Sequence, residues 1–234
     1  TAKGEEQDIL NGYDLEIEDY LLKTASPKIV TTKVGAIIKS KGRERKKVVD
    51  ELNKAVDNMG ARVVPDEFPE FAGYDIRHWH IPFKNIPGGD FLDYIEVDED
   101  NIVVFLGDVM GKRWGAWYFA VAYAGYVRST VRVAIQNEKE LNPGHIMNEV
   151  NKAIYRDQRI SEVFTTLSII TLNKKTNTML YSGAGDLPIL YRKASDGSVA
   201  KIQSKGLLLG FSEEGMYSDS KIEMQPGDCV FLIT

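Results

Sequence analysis

Two aspartates stand beside glycines at the ends of apolar segments, where a carboxylate can reach a ligand. Asp90 ends the motif Gly88–Asp90, and Asp108 lies within Gly107–Gly111. Glycine lets the backbone turn sharply and approach a ligand, while carboxylate and carbonyl oxygens suit hard divalent cations. A third glycine-rich loop, Gly183–Pro188, follows another apolar segment. Each motif alone also fits a tight turn that carries an aspartate by chance, so a metal site is indicated only by the motifs together.

The elements that must position these motifs form a strand-rich domain with two central helices. Residues 74–81 alternate strictly, which predicts a strand, and residues 101–106 form an apolar run typical of a strand buried on both faces. Residues 115–135 and 144–155 have helical length and apolar faces. Further strands are predicted at 164–171, 178–182, 188–192, 199–203, 220–224 and 228–233. This order indicates an α+β layered domain rather than alternating βαβ units.

A long helix is predicted ahead of this domain. Ser26 and Pro27 form a typical helix start, and the apolar residues that follow recur at heptad spacing, namely Val30, Val34, Ile38, Val48, Leu52, Ala55 and Met59. The heptad register continues through Lys41 and Arg45, as in a parallel coiled-coil dimer with a polar break. Two helices interrupted at Gly42 are the alternative. Glycine costs a helix only about 1 kcal/mol relative to alanine, which favours the continuous helix.

The composition is that of an ordinary globular protein and argues against several classes of function. Of the 234 residues, 43% are hydrophobic and 27% are charged, and the net charge of −5 argues against a binder of nucleic acid or of anionic membranes. The single cysteine, Cys229, excludes an internal disulfide and a cysteine-rich zinc site. No apolar run approaches the roughly 20 residues of a membrane span, and no signal-peptide pattern is seen. A cytoplasmic location is therefore expected.

Ordered motifs over most of the chain resemble the SpoIIE-type serine/threonine phosphatases of bacteria, which belong to the metal-dependent phosphatase superfamily with the protein phosphatase 2C-like fold. The similarity extends from about Arg43 to Thr234, and its motifs are Gly73-Tyr74, Pro87-Gly88-Gly89-Asp90-Phe91-Leu92-Asp93, Gly107-Asp108-Val109-Met110-Gly111-Lys112, Phe164-Thr165-Thr166-Leu167, Ser182-Gly183-Ala184-Gly185 and Gly206-Leu207-Leu208-Leu209-Gly210-Phe211. The resemblance implies an α-β-β-α sandwich with a metal centre where the two central sheets meet. It also implies that water activated by metal attacks a phosphoserine or phosphothreonine.

The resemblance assigns roles to individual residues. Asp90 and Asp108 match metal-binding carboxylates and are the candidate catalytic residues. Asp108 would bridge two Mn²⁺ or Mg²⁺ ions, with the carbonyl of Val109 as a further ligand. The candidates for loops that contact substrate are Lys112, Gly185 and Asp186.

The similarity also implies that part of the metal site is missing from this chain. Leu232-Ile233-Thr234 matches the strand that leads into the family's threonine-aspartate-glycine element. That aspartate and a further metal-binding aspartate would fall beyond Thr234. We therefore expect the chain to be a piece of a longer protein, to hold half of the carboxylate cage, and to show weak metal binding and little turnover by itself.

The start of the chain resembles the C-terminal part of a response-regulator receiver domain. The similarity rests on Thr1–Gly4, Gly12-Tyr13 and a strand-like run, Asp19–Lys23, that is followed by a helix. It implies that Thr1 is the switch hydroxyl and that Lys23 pairs with a phosphoryl group on an aspartate. A proline is expected after this lysine, and Thr24 stands in its place.

Together these similarities predict the output protein of a two-component system. Residues 1–26 would be the receiver fragment, 27–60 the last receiver helix and a helical linker, and 61–234 an incomplete phosphatase domain. The expected partners are a sensor histidine kinase upstream, a phosphoprotein substrate such as an anti-sigma-factor antagonist, and a second copy of the chain bound through the linker helix. No nucleic acid and no membrane are expected.

Two alternatives stay open. A pseudophosphatase or partner-switching adaptor would use the same fold to dock a protein without turnover. Gly88-Gly89-Asp90-Phe91 also approaches the signature of a diguanylate cyclase, although Phe91 stands where that signature carries a second acidic residue. Retained Asp90 and Asp108 favour the phosphatase over the adaptor, and the glycine-flanked Asp108 that follows a buried strand favours it over the cyclase.

Overall fold

A computed structural model describes residues 10, 17, 19–59, 63–82, 88–111, 114–137, 141–157 and 163–234. The chain divides into two compact units, Thr1–Met59 and Gly60–Thr234. The sequence also has a helical pattern from Glu5 to about Ile17, which falls almost entirely outside the described residues. No helix in the described ranges is long and apolar enough to cross a membrane.

The first unit is dominated by one continuous helix, α1 (Pro27–Met59). It starts where the sequence predicted, because Pro27 occupies the first turn and the Ser26 hydroxyl accepts a hydrogen bond from the Ile29 amide at 3.4 Å. The helix passes through Gly42 without a break, so the interpretation as two helices is wrong. Of the heptad positions with described side chains, Val34, Ile38 and Val48 are exposed.

The strand predicted at Asp19–Lys23 does not form. No described strand pairs with these residues, and the chain turns just after them, where the Ala25 amide donates to the Leu22 carbonyl at 3.0 Å. Asp19 instead accepts a hydrogen bond from the Lys33 amine of α1 at 2.7 Å. This bond lowers the pKa of Asp19. The strand-like pattern therefore belongs to a lead-in held by side-chain contacts with α1.

The second unit contains two helices and eight strands in its described residues. The helices are α2 (Trp114–Asn137) and α3 (Pro143–Arg156). The strands are β1 (Asp90–Glu96), β2 (Asn101–Val109), β3 (Thr165–Asn173), β4 (Thr178–Ala184), β5 (Ile189–Arg192), β6 (Val199–Ile202), β7 (Ser220–Glu223) and β8 (Cys229–Phe231). Both helices and all six strands predicted after residue 164 are confirmed within a few residues at their ends.

The strands form two antiparallel sheets. Five strands are arranged in the order β1-β2-β3-β4-β7, and three in the order β6-β5-β8. The strand β2 lies inside the larger sheet, which explains its continuous apolar sequence, since both of its faces are covered.

Alternate residues of the larger sheet enter two different cores. On one face, Phe91, Phe105 and Ile169 pack with residues of α2 and α3. On the other face, Val104, Ile170 and Tyr181 pack with residues of the smaller sheet, including Ile189 and Tyr191. The layers are therefore helices, sheet and sheet, and the predicted mixed sandwich is confirmed. A second helical layer has no counterpart within the described part of this unit.

The segment 74–81 was predicted as a strand and forms no ladder. Its side chains do alternate between half-buried and exposed, with Tyr74 and Ile76 packing against the inter-sheet core and Trp79 and Ile81 exposed. The one bridge described here joins Tyr74 to Phe71. Alternation reports which side chains are buried, whereas a ladder also needs a partner strand, and none pairs with this segment in the described residues.

Candidate metal centre

Asp90 and Asp108 face each other across two paired strands. Asp90 opens β1, Asp108 lies near the end of β2, and their Cα atoms are register partners. The Val109 amide donates to the Gly89 carbonyl at 3.1 Å, so the neighbouring pair 89/109 is the hydrogen-bonded one. Asp90 and Asp108 therefore form a non-hydrogen-bonded pair, in which Cα atoms are typically about 4.5 Å apart and side chains are closest. The two carboxylates lie at the end of the sheet, on its inter-sheet face.

Glycine at position 89 makes room for the oxygen atoms of this site. A Cβ at that position would lie 2.3 Å from the Val109 carbonyl oxygen and 2.9 Å from Asp108 Oδ1. These two oxygens therefore border the same space beside Gly89. Carboxylate and carbonyl oxygens are the donors that Mg²⁺ and Mn²⁺ prefer, so the residues present fit such an ion.

Hydrogen bonds from β3 and the residue before it hold the end of β2. The Met110 amide donates to the Phe164 carbonyl at 2.9 Å, and the Thr166 hydroxyl donates to the Asp108 carbonyl at 3.5 Å. Thr166 is also the register partner of Asp108 on β3. The backbone that carries Asp108 is thereby fixed on both sides, by β1 and by β3.

The negative charges of the two aspartates repel each other. Desolvation of the Asp108 carboxylate by its surroundings, and then the negative charge of Asp90, raise the pKa of Asp108. No described lysine, arginine or histidine makes a salt bridge with either carboxylate. Like charges placed directly opposite each other destabilise a sheet. A bound cation would remove this repulsion.

The described residues supply two carboxylates to this site and no more. No group of three or more His, Cys, Asp or Glu side chains suited to a metal occurs in the part of the chain that is described. The expectation that the chain holds half of a carboxylate cage stays a prediction.

Asp186 belongs to a hydrogen-bond network that includes neither of these two aspartates. Gly185 is exposed at the corner after β4, with a φ of +60°, whereas Asp186 is 9% exposed and accepts hydrogen bonds through both carboxylate oxygens. A carboxylate buried in this way does not face a substrate. Gly185 stays a candidate for contact with substrate, while the contacts of Asp186 indicate a different role.

Three further residues were predicted to have functional roles away from the metal centre. Lys112 and Thr1 lie outside the described residues. Lys23 is exposed in the turn that precedes α1. Their proposed roles remain predictions.

Asn151 is a residue that the sequence analysis did not single out. It is fully buried on α3, where its amide nitrogen donates to the carbonyls of Ser212 at 2.9 Å and Glu213 at 3.1 Å. Its side-chain oxygen accepts from the Gly210 amide at 2.9 Å. Asn151 thus anchors the loop that follows β6. The available signal was its place on the apolar face of a predicted helix, one residue after Val150 and four after Met147.

Replacing Asn151 with leucine should destabilise the second unit by about 2 kcal/mol, because three backbone groups, among them the buried Gly210 amide, would lose their partner. Urea unfolding followed by circular dichroism would measure this loss. Asn148→Leu is the matched control on the same helix, since the Asn148 amide bonds only within its own helix, to the Gly144 carbonyl. Equal stability losses in the two variants would contradict the anchoring role.

Residues 98–234, more than half of the chain, match the family described as Stage II sporulation protein E (SpoIIE). The chain belongs to the SpoIIE family. Asp108 of this SpoIIE-family chain lies inside the matched range, and Asp90 precedes it.

The chain is also similar to individual proteins of known sequence or structure. Phosphoserine phosphatase RsbU of Bacillus subtilis (strain 168) is 22% identical over 179 residues, which cover 76% of this chain and 50% of RsbU. The PP2C phosphatase domain of SpoIIE from Bacillus subtilis, solved with a fragment of its regulatory domain, gives a TM-score of 0.51 at 14% identity, over 62% of this chain and 40% of that one. The SiaA PP2C domain of Pseudomonas aeruginosa gives a TM-score of 0.51 at 16% identity, over 62% and 55%.

The structural likenesses establish the fold of this SpoIIE-family chain as the PP2C type. The chain spans about half the length of the curated relative that it matches. The family and the fold favour the phosphatase interpretation over the diguanylate cyclase.

Proposed function

We propose that this SpoIIE-family protein is a metal-dependent serine/threonine protein phosphatase. The observation that carries the proposal is the Asp90–Asp108 pair, which places two carboxylates on one rung of the sheet beside the Val109 carbonyl. The relative RsbU is named a phosphoserine phosphatase, which supports phosphoserine as the substrate group.

In this proposal Asp90, Asp108 and the carbonyl of Val109 hold two Mn²⁺ or Mg²⁺ ions. Such ions, when bound, lower the pKa of a coordinated water and neutralise phosphate oxygens during in-line attack. The protein contributes the position of the ligands. Paired strands fix both carboxylates, and Gly89 leaves space beside them. The hydrogen bond from the Met110 amide to the Phe164 carbonyl, and the one from the Thr166 hydroxyl to the Asp108 carbonyl, hold the backbone around Asp108. No covalent protein nucleophile takes part.

Assays of the full-length protein test the activity. We expect it to hydrolyse p-nitrophenyl phosphate and a phosphoserine peptide with Mn²⁺, and to lose this activity when EDTA removes the metal. Phosphate release from the peptide separates a protein phosphatase from an enzyme limited to small esters. A folded protein without turnover at millimolar Mn²⁺ would contradict the proposal. It would favour an adaptor that docks a protein without turnover.

We also propose that the protein is the output of a two-component system and acts in the cytoplasm. Residues 1–26 would end a receiver domain, in which Thr1 and Lys23 respond to phosphorylation by a sensor histidine kinase. The helix α1, in residues 27–60, would carry the change to the phosphatase domain at 61–234. The substrate would be a phosphoprotein such as an anti-sigma-factor antagonist. Turnover measured with and without phosphorylation of the receiver tests the link, and equal rates would contradict it.

A homodimer through α1 completes this proposal. It is supported by the exposed apolar positions Val34, Ile38 and Val48, which share the 3-4 spacing of a coiled-coil seam. We expect sedimentation equilibrium to show a dimer of the full-length protein, and Ile38→Asp to shift it to monomer. Thr32→Asp, an added charge at an exposed position outside the seam, should leave the dimer intact. A monomeric parent protein, or equal effects of both substitutions, would contradict the proposed seam.

A further inference from the structure

The carboxylate of Asp186 is the centre of a buried hydrogen-bond network. Its Oδ2 accepts from the hydroxyl of Ser168 on β3 and from the hydroxyl of Tyr181 on β4, the latter at 2.6 Å. Its Oδ1 accepts from the hydroxyl of Ser204, after β6, at 2.8 Å. One side chain therefore joins two strands of the larger sheet to the chain that leaves the smaller sheet.

Further contacts hold Asp186 in one position within this network. The phenol of Tyr181 is a donor at neutral pH, and burial, and then the hydrogen bond to Asp186, raise its pKa further. A Cβ at position 183 would lie 2.1 Å from Asp186 Oδ1, so the carboxylate fills the space above Gly183. The Gln203 amide also donates to the Asp186 carbonyl, at 3.2 Å. Both the side chain and the backbone of Asp186 are thereby held in one position.

The segment that Asp186 anchors runs beside the candidate metal centre. This segment, residues 203–211, starts next to the network, and the Gly185 amide donates to its Gly206 carbonyl at 3.0 Å. Further along, the Leu209 amide donates to the Thr165 carbonyl at 3.0 Å. Thr165 is the register partner of Val109 on β2. The segment therefore contacts the strand that supports the backbone of Asp108 and Val109.

We propose that Asp186 is a positioning residue, whose buried carboxylate fixes the 203–211 segment and the Gly185 corner against β3 beside the Asp90–Asp108 site. The proposal rests on the phosphatase function proposed above for that site. Both carboxylate oxygens of Asp186 already accept hydrogen bonds from hydroxyl groups, so the proposal gives it no metal to bind. It acts through the backbone that it holds.

The substitution Asp186→Asn tests this role in the full-length protein, because it keeps the shape of the side chain and replaces one acceptor oxygen with a donor. We expect the Gly185 and Leu209 amides to exchange hydrogen for deuterium at least tenfold faster. We expect kcat per folded molecule for p-nitrophenyl phosphate to fall by about 10- to 100-fold, the range typical of residues behind metal ligands, with KM within threefold of the parent value. A purely structural role would lower the melting temperature and the folded fraction but leave kcat per folded molecule unchanged.

Asp196→Asn is the control, since Asp196 is an exposed aspartate whose carboxylate bonds the Ser198 amide in the β5–β6 turn. It should alter neither exchange nor kcat. If Asp186→Asn does not fold, Tyr181→Phe and Ser204→Ala each remove one donor and should speed exchange of the same amides. Unchanged amide exchange in the variants that fold, or unchanged kcat in an active parent background, would overturn the proposal. If the parent protein shows no metal-dependent hydrolysis, the phosphatase function fails, and amide exchange alone decides whether Asp186 positions the segment.

Discussion

Asp108→Asn should abolish Mn²⁺-dependent hydrolysis by the full-length protein, with a loss of about 1,000-fold or more in kcat/KM. Stabilisation of a phosphoryl-transfer transition state by bound metal is worth several kcal/mol, and about 4 kcal/mol corresponds to this factor. The amide keeps the shape of the side chain but removes the negative charge that would hold the metal. Mn²⁺ affinity, measured by isothermal titration calorimetry, should weaken by at least about 100-fold.

The same substitution should leave the fold intact, and this separates the loss of charge from misfolding. Without metal, desolvation of Asp108 and then repulsion from the charge of Asp90 raise the pKa of Asp108. Removing one charge should therefore leave the melting temperature of the metal-free protein equal to or above that of the parent. Glu99→Gln, at the exposed turn of the same β1–β2 hairpin, matches the change in charge and should keep full activity. Turnover retained in Asp108→Asn would exclude Asp108 as a metal ligand.

The local patterns that could be read from the sequence are those that depend on one strand or helix alone. The apolar run of β2, the helix α3 with its apolar face, and the start of α1 at Pro27 were all predicted. Each follows from burial or capping within one element. Asp90 and Asp108 each stand beside glycines at one end of an apolar run, which predicted a shared metal site, but the register that makes them direct partners needed the structure.

What the sequence could not supply were contacts between distant parts of the chain. The segment 74–81 has the alternation of a strand, yet its neighbours decide whether a ladder forms. Asp186 looked like a loop residue beside glycines, and only the positions of Ser168 and Ser204 reveal that its carboxylate is enclosed. Burying a polar side chain without hydrogen-bond partners costs free energy. A polar residue on the apolar face of a helix, such as Asn151, therefore predicts buried hydrogen bonds at that position.

Gly89→Ala should damage the metal centre through geometry alone, without changing any charge. The new methyl carbon would lie 2.3 Å from the Val109 carbonyl oxygen and 2.9 Å from Asp108 Oδ1, so β1 or β2 must move. Overpacking of this kind costs typically about 1–3 kcal/mol of stability. We expect a loss in kcat of at least about 100-fold, because misplacement of reacting groups by about 1 Å has that effect.

The neighbouring glycine provides a matched control for this prediction. A Cβ at position 88 would meet nothing within 4 Å, so Gly88→Ala should change stability by less than about 0.5 kcal/mol and keep parental activity. Both variants add one methyl group in the same loop, and they differ only in what that methyl group meets. Mn²⁺ affinity, kcat and urea unfolding should be measured for the pair. If Gly89→Ala matched Gly88→Ala in Mn²⁺ affinity and kcat, the space beside Gly89 would have no part in the metal site, and the Val109 carbonyl would lose its proposed role as a ligand.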